Sequence, residues 1–267
     1  MHRKASFAFI SILMAATFLP VHASSAKSPL PLAVGNRWEY AISQIGVMSA
    51  GEGEASKSYL MRAEGTCVEE VISIREQRPN GETVYEHRST TKTEAGLNTE
   101  ASESTEDTLM LVSEKGVSIL ASKSSGLDGL LSDEWEEYDP PLVMFSAGLV
   151  PGKKWRIGTV RDRSIRMPMV ARVSGTETVT VPAGTFRNCV KVYVTCGRVT
   201  GTMGSGQDKA TIKKGKSVTT VWIHPGTGVV KENTILQAKM QFESEGPPLM
   251  LGTQRETKEL LPGYRAE

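Results

Sequence analysis

Apolar and polar positions alternate with period two along most of this chain. Trp38, Tyr40 and Ile42 alternate with polar partners after a Gly35-Asn36 turn. Val71 to Arg78 and Glu82 to Arg88 flank Pro79-Asn80-Gly81, where Asn-Gly predicts a type I′ hairpin turn with positive φ angles. Leu109–Val112 and Val117–Leu120 flank Glu114-Lys115-Gly116 as a second hairpin. The series continues through Trp155–Arg161, Met169–Val173, Thr176–Val181, Phe186–Cys196, Ser217–Ile223 and Val229–Met240. Turn signals recur about every 8–12 residues, the spacing of an all-β domain and not of βαβ units. One short helix is expected at Leu127–Leu131, and exposed polar loops at Asn98–Thr108 and Gly201–Ser217.

Two stretches join β-branched runs to fixed turns: Thr178-Val-Thr-Val-Pro-Ala-Gly-Thr-Phe186 and Trp222-Ile-His-Pro-Gly-Thr-Gly-Val-Val-Lys231. Pro182 and Gly184 break one strand and let the backbone reverse, and Pro225, Gly226 and Gly228 do the same in the other. These are structural corners of a sheet and name no chemistry. Asp133–Pro141 is the expected boundary between two halves, near 133–150, because Pro140 and Pro141 should stop a strand. A short echo accompanies it: Val34-Gly-Asn-Arg-Trp38 resembles Pro151-Gly-Lys-Lys-Trp155.

The N-terminus reads as a targeting segment. His2, Arg3 and Lys4 form a basic region, Phe7–Leu19 an apolar one, and Val21-His22-Ala23 a small-residue cleavage site, the order of a secretory signal peptide over residues 1–23. The apolar run is too short for a bilayer span, which needs ~20 residues. Removing residues 1–23 leaves 244 of 267 residues and 29 basic against 30 acidic side chains, a formal net charge of −1. That balance offers no footprint for nucleic acid. The expectation is a soluble, exported chain, periplasmic or secreted, with no transmembrane anchor, folded as one β-rich domain over residues 27–267. Aromatics are 6% of residues, so the core must rest on Val, Ile, Leu and Met.

Export places Cys67, Cys189 and Cys196 in an oxidising setting. Cys189 and Cys196 lie seven residues apart in one strand, roughly 23 Å at the strand rise and beyond disulfide reach. Strand parity puts Val190, Val192, Val194 and Cys196 inward and Cys189 outward. Around Cys67, the residues Val68, Ile72 and Ile74 make the apolar face, so Cys67 also points outward. A Cys67–Cys189 disulfide is the expectation, three unpaired thiols the alternative.

Catalytic and metal motifs are not found. Only His87 and His224 follow the leader, with no His pair at i, i+4 and no Cys-x-x-Cys, so no metal site is expected. His224 reads as a turn residue and His87 as an ordinary sheet-face histidine. Met144–Gly148 lacks the leading glycine of a nucleophile elbow. Ala210–Ser217 resembles a phosphate loop in spelling, but a strand follows where a helix N-terminus is required. Glu100, Glu103, Glu106 and Asp107 lack the pattern of a calcium loop. Asp133, Glu134, Glu136, Glu137 and Asp139 beside Trp135 and Tyr138 have the residue types of a glycosidase, yet adjacency in sequence does not set two carboxylates across a cleft. No cofactor is implied, and the chain is expected not to be an enzyme.

Val179–Phe186, Asn188-Cys-Val-Lys-Val192 and Trp222-x-x-Pro-Gly-x-Gly-x-Val-Lys231 together resemble a broad group of exported bacterial proteins and lipoproteins. Pro31–Trp38, Pro140–Phe145 and Pro151–Trp155 extend the resemblance. It implies an antiparallel sheet curled into an open barrel, similar to the periplasmic lipoprotein carrier LolA, with an apolar cavity able to shelter an acyl chain. Two departures stand out: no lipid-attachment cysteine is present, and Ile223-His224 replaces the group's aromatic-Ala. The implied function is a non-catalytic envelope protein binding a lipid or lipoprotein-derived ligand. A structural or adhesive β module and a carboxylate-dependent hydrolase are the alternatives.

Overall fold

The computed structural model describes residues 31–50, 57–97, 99–126, 134–162, 165–203, 210–242 and 250–266. Every regular element among them is a strand, as the alternation demands. The first six are β1 (Arg37–Ala50), β2 (Lys57–Gln77), β3 (Thr83–Thr93), β4 (Ser102–Ser113), β5 (Gly116–Gly126) and β6 (Glu136–Ser146). The second six are β7 (Lys154–Asp162), β8 (Ile165–Val181), β9 (Gly184–Met203), β10 (Ala210–His224), β11 (Gly228–Phe242) and β12 (Met250–Leu260). The signal peptide and the Leu127–Leu131 helix lie outside the described residues.

All twelve strands form one antiparallel sheet in the order β6-β5-β4-β3-β2-β1-β12-β11-β10-β9-β8-β7. Consecutive strands are neighbours throughout, except β6 and β7, which occupy the two opposite edges. Residues 147–153 nevertheless join them, so the sheet must curl until its edges meet. The result is a nearly closed barrel, and full closure is one way a sheet removes exposed edges. A side chain bridges the seam, where Trp155 Nε1 donates to the Val143 carbonyl at 2.9 Å, and within the connection Lys153 Nζ donates to the Ala147 carbonyl.

The short sequence echo corresponds to a repeated clasp. Gly35 N–H donates to Val71 O (2.9 Å) and Val71 N–H to Asn36 O (3.0 Å). Gly152 N–H likewise donates to Val173 O (2.9 Å) and Val173 N–H to Lys153 O (2.9 Å). Gly35 and Gly152 both sit at positive φ, +90° and +85°, which suits glycine. Each clasp opens a run of six strands and ties the turn before the first strand to the interior of the second.

Several loop expectations are corrected. Asn98–Thr108 is largely strand, because β4 begins at Ser102 and its polar residues face polar partners on β3. Gly201–Ser217 is mostly strand as well: β9 runs to Met203 and β10 starts at Ala210. Pro140 and Pro141 do not stop a strand but lie inside β6, and an edge strand tolerates the missing N–H. The Pro79-Asn80-Gly81 turn is not type I′. Gly81 alone is at positive φ (+82°), and its N–H donates to Arg78 O at 2.9 Å. Pro79 fixes a negative φ at the first central position, which selects a type I turn with a glycine bulge.

The two motif corners meet at one end of the barrel. Ala183 N–H, in the β8–β9 turn, donates to Leu260 O at the end of β12 (3.0 Å). Phe186 packs edge-on against His224 with ring centroids 5.2 Å apart. Trp38 Nε1 donates to Thr227 O (3.2 Å) and Tyr40 Oη to Val229 O (3.2 Å). His224 is a turn residue, its Nδ1 3.0 Å from Thr227 Oγ1. Trp38, Tyr40, Val181, Phe186, Val230 and Leu260 belong to one buried cluster there. Pro182, Gly184, Pro225, Gly226 and Gly228 are thus the turns that cover this end.

Candidate functional site

The inner face of the sheet is divided in character. On β8 the residues Ile165, Met167, Met169, Ala171 and Val173 are buried and their neighbours exposed, and they pair in register with Val192, Val194 and Cys196 of β9. With Leu142, Met144 and Ile157 they form one apolar cluster. The opposite wall, on β1–β4, β11 and β12, carries buried polar groups at the same inward phase.

Alternation on β1 turns Tyr40, Ile42 and Gln44 inward. Opposite them on β12 stand Leu260, Lys258 and Glu256, and beyond β12, Glu232 of β11 pairs with Lys258. On the other side of β1, Cys67 pairs with Tyr40 and Glu69 with Trp38. Lys258 Nζ donates to Glu69 Oε1 and lies 4.3 Å from the Tyr40 ring centroid, a cation–π arrangement. Gln44 Nε2 donates to Glu256 Oε2 at 2.7 Å, and Thr234 Oγ1 to Glu232 Oε1 at 3.2 Å.

Burial governs the electrostatics, because a desolvated charge is costly unless paired. Burial pushes Glu232 up to about 8, with Lys258 opposing and Glu256 and Glu69 adding to the rise. Glu256 rises for the same first reason, opposed by Gln44 and Lys258. Lys258 moves up: burial alone would lower it, but the surrounding Cys67, Glu69 and Glu232 outweigh that. Burial lifts Glu69 against the pull of Lys258. His87, on β3, is held down to about 3 by burial and then by Lys258, so its imidazole is neutral.

This cluster was hidden in the sequence. Thr253-Gln-Arg-Glu-Thr-Lys-Glu259 is polar at every position, so no period-two signal marks Glu256 and Lys258 as inward; only the following Leu260 sets the phase. The reading of β2 was also inverted. Cys67, Glu69 and Val71 face inward in unbroken alternation with Met61 and Ala63, while Ile74 is exposed. The apolar Val68, Ile72 and Ile74 share the outer face, and the inner face carries the polar Glu69.

The expected Cys67–Cys189 disulfide is therefore corrected. All three cysteines are free and buried, and β2 and β9 are not neighbours in the sheet. Cys67 Sγ lies 3.2 Å from Ser89 Oγ, and Cys189 Sγ bonds Phe186 O at 3.4 Å. Cys189 is not outward: it follows Asn188, which takes φ +59°, and a further register shift separates it from Phe186 on β9. Cys196 is inward and 1% exposed, as expected.

The acidic clusters are not drawn together. Glu134, Glu137 and Asp139 are exposed, and Lys123 Nζ lies 5.1 Å over the Trp135 ring. Asp107 is held by Arg88 at 2.6 and 3.0 Å and by Lys123 at 3.1 Å, while Glu103 pairs with Lys92 at 3.1 Å. Among the described residues no three His, Cys, Asp or Glu side chains converge as metal ligands.

Residues 136–245 match a family described as protein of unknown function, DUF3108. That span runs from β6 past the end of β11 and includes both motif corners. No curated protein matches the chain. Among solved structures, a protein with a YmcC-like fold from Bacteroides fragilis is 13% identical, with 92% of this chain and 97% of that one covered and a TM-score of 0.36. DynF from the dynemicin biosynthesis pathway of Micromonospora chersina is 8% identical over 97% and 95% of the two chains, with a TM-score of 0.29. The transport unit of the Escherichia coli autotransporter AIDA-I is 10% identical over 83% and 90%, with a TM-score of 0.17. Scores at this level carry no functional argument.

Proposed function

We propose that this is an exported, non-catalytic cell-envelope protein whose curled sheet binds an amphiphilic ligand, a lipid or the lipid part of a lipoprotein. One observation carries the reading: the apolar wall of β8 and β9 faces the buried polar wall around Lys258 within a single barrel. An acyl chain matches the first wall by apolar burial, at about 25 cal/mol per Å². A polar head matches the second, where each unpaired buried group would otherwise cost free energy. Ligand sites of this kind combine mostly apolar lining with a few placed polar groups.

Two groups at the centre of the cluster are not set up as nucleophiles. Burial pushes the Cys67 thiol up, away from the reactive thiolate, and the Lys258 charge is engaged by Glu69. The basic-apolar leader of residues 1–23 supports export, and the lack of a cysteine at the cleavage region supports a periplasmic or secreted location without a lipid tether. Native mass spectrometry of the protein purified from its own host tests the reading. Co-purifying lipid is the expected result; repeated preparations free of any bound lipid would count against it.

A further inference from the structure

His87 stands on the inner face of β3, in register with Val71 on β2 and Thr108 on β4. It is 0% exposed. Neither of its ring nitrogens has a hydrogen-bond partner among the described residues, nor does Thr108 Oγ1 beside it. A fourth such atom, Glu69 Oε2, is on the same face of β2. Buried polar atoms are nearly always paired, and each one left alone costs about 1–3 kcal/mol. Three side chains from three adjacent strands, gathered on one inner face, are a polar surface arranged for something other than the fold.

The chemistry of the patch narrows what it can take. A neutral imidazole offers one donor and one acceptor, a threonine hydroxyl offers both, and Glu69 Oε2 offers an acceptor. An anionic head supplies acceptors alone and would face the Glu69 carboxylate. A cationic head supplies donors alone and would compete with Lys258, which already holds Glu69. Asp107 is held on the outer side by Arg88 and Lys123. A group with neighbouring hydroxyls meets both kinds of partner without bringing a charge.

We propose that His87, Thr108 and Glu69 form the polar subsite of the barrel and take an uncharged headgroup with neighbouring hydroxyls, of the glycerol or sugar type. The inference rests on the amphiphile-binding reading above and specifies its polar end.

Calorimetric titration of the host-purified protein, stripped of lipid, with 1-monodecanoylglycerol, decanoate and decylamine tests both levels. The glycerol ester is expected to bind about tenfold more tightly than either charged probe. Thr108→Val, nearly isosteric, and His87→Phe should each bring the ester to the level of decanoate while decanoate binding stays unchanged. If His87→Phe does not fold by circular dichroism, Thr108→Val decides the matter. Equal binding of all three probes, or ester binding unchanged in Thr108→Val, would overturn the headgroup assignment and leave the apolar wall intact as a binding surface. Binding of none of the probes would overturn the amphiphile reading together with the subsite.

Discussion

Lys258 of β12 reaches over β1 to bond Glu69 of β2. In register, Lys258 stands opposite Ile42 and Leu260 opposite Tyr40, while Glu69 stands opposite Trp38. The side chain therefore crosses two rows of the inner face, and the Tyr40 ring fills the row between. The pair fastens three strands from inside, where the packed barrel wall keeps it from solvent.

Removing one partner of such a pair leaves an uncompensated buried charge, at a cost of about 3–5 kcal/mol. Lys258→Met should lose stability in that range by urea denaturation. Replacing both partners removes the desolvation penalty along with the attraction, so Lys258→Met with Glu69→Gln should be more stable than Lys258→Met alone. A double variant no better than the single would show that Glu69 is not the group left stranded.

Glu232 makes stability fall with rising pH. Its value in the fold is about 8 against an ordinary 4.5, so the folded protein keeps a proton that the unfolded chain releases. The contribution is complete below about 4.5, declines through the interval and is gone above about 8. Glu232→Gln should abolish that decline, with a gain at pH 9 of up to the order of 4 kcal/mol. Denaturation curves at pH 5, 7 and 9 check it, and parallel curves for both proteins would contradict it.

His87 works in the opposite sense. Its value is about 3 in the fold against an ordinary 6.5, so its contribution is present above 6.5 and lost as pH falls toward 3. His87→Gln should melt at a less pH-dependent temperature between pH 6 and 4 than the parent. An unchanged slope would place the imidazole in contact with water.

The fold was legible because most strands carry one apolar face. Phe186–Cys196 and Met169–Val173 announced themselves through β-branched residues and sulfur-bearing ones at alternate positions, and the Gly-containing turns marked their ends. The clasp at Trp38 and its counterpart at Trp155 showed even as a five-residue echo. What stayed hidden were inward polar positions. Glu256 and Lys258 are charged residues on a polar strand, and only the three-dimensional pairing with Gln44 and Ile42 gives them a face. On β2 the more apolar face in sequence lies outward, and a bulge near Asn188 changes the phase at Cys189, so parity misplaced both cysteines.

The thiols should be reduced and unreactive. Cys67, Cys189 and Cys196 are buried, and burial pushes Cys189 up to about 11, so little thiolate is available at neutral pH. Ellman's reagent should titrate almost nothing in the native protein and three thiols in guanidinium. The melting temperature should be the same with and without reductant. A reductant-sensitive melt would reveal a bridge.

The β6–β7 seam should be the first part of the barrel to open. Elsewhere neighbouring strands share ladders of backbone bonds, whereas here a side-chain bond from Trp155 Nε1 to Val143 O links the two edges. Trp155→Phe keeps the aromatic bulk and removes the donor, so it should cost about 1 kcal/mol overall. Local opening draws on the local contacts and not on global stability. Amide exchange by mass spectrometry should therefore quicken in peptides covering Glu136–Ser146 and Lys154–Asp162 and stay unchanged across Ala210–Phe242, in strands β10 and β11. Uniformly faster exchange would mean that the seam opens only with the whole barrel, and that ligand entry between these two edges demands global unfolding.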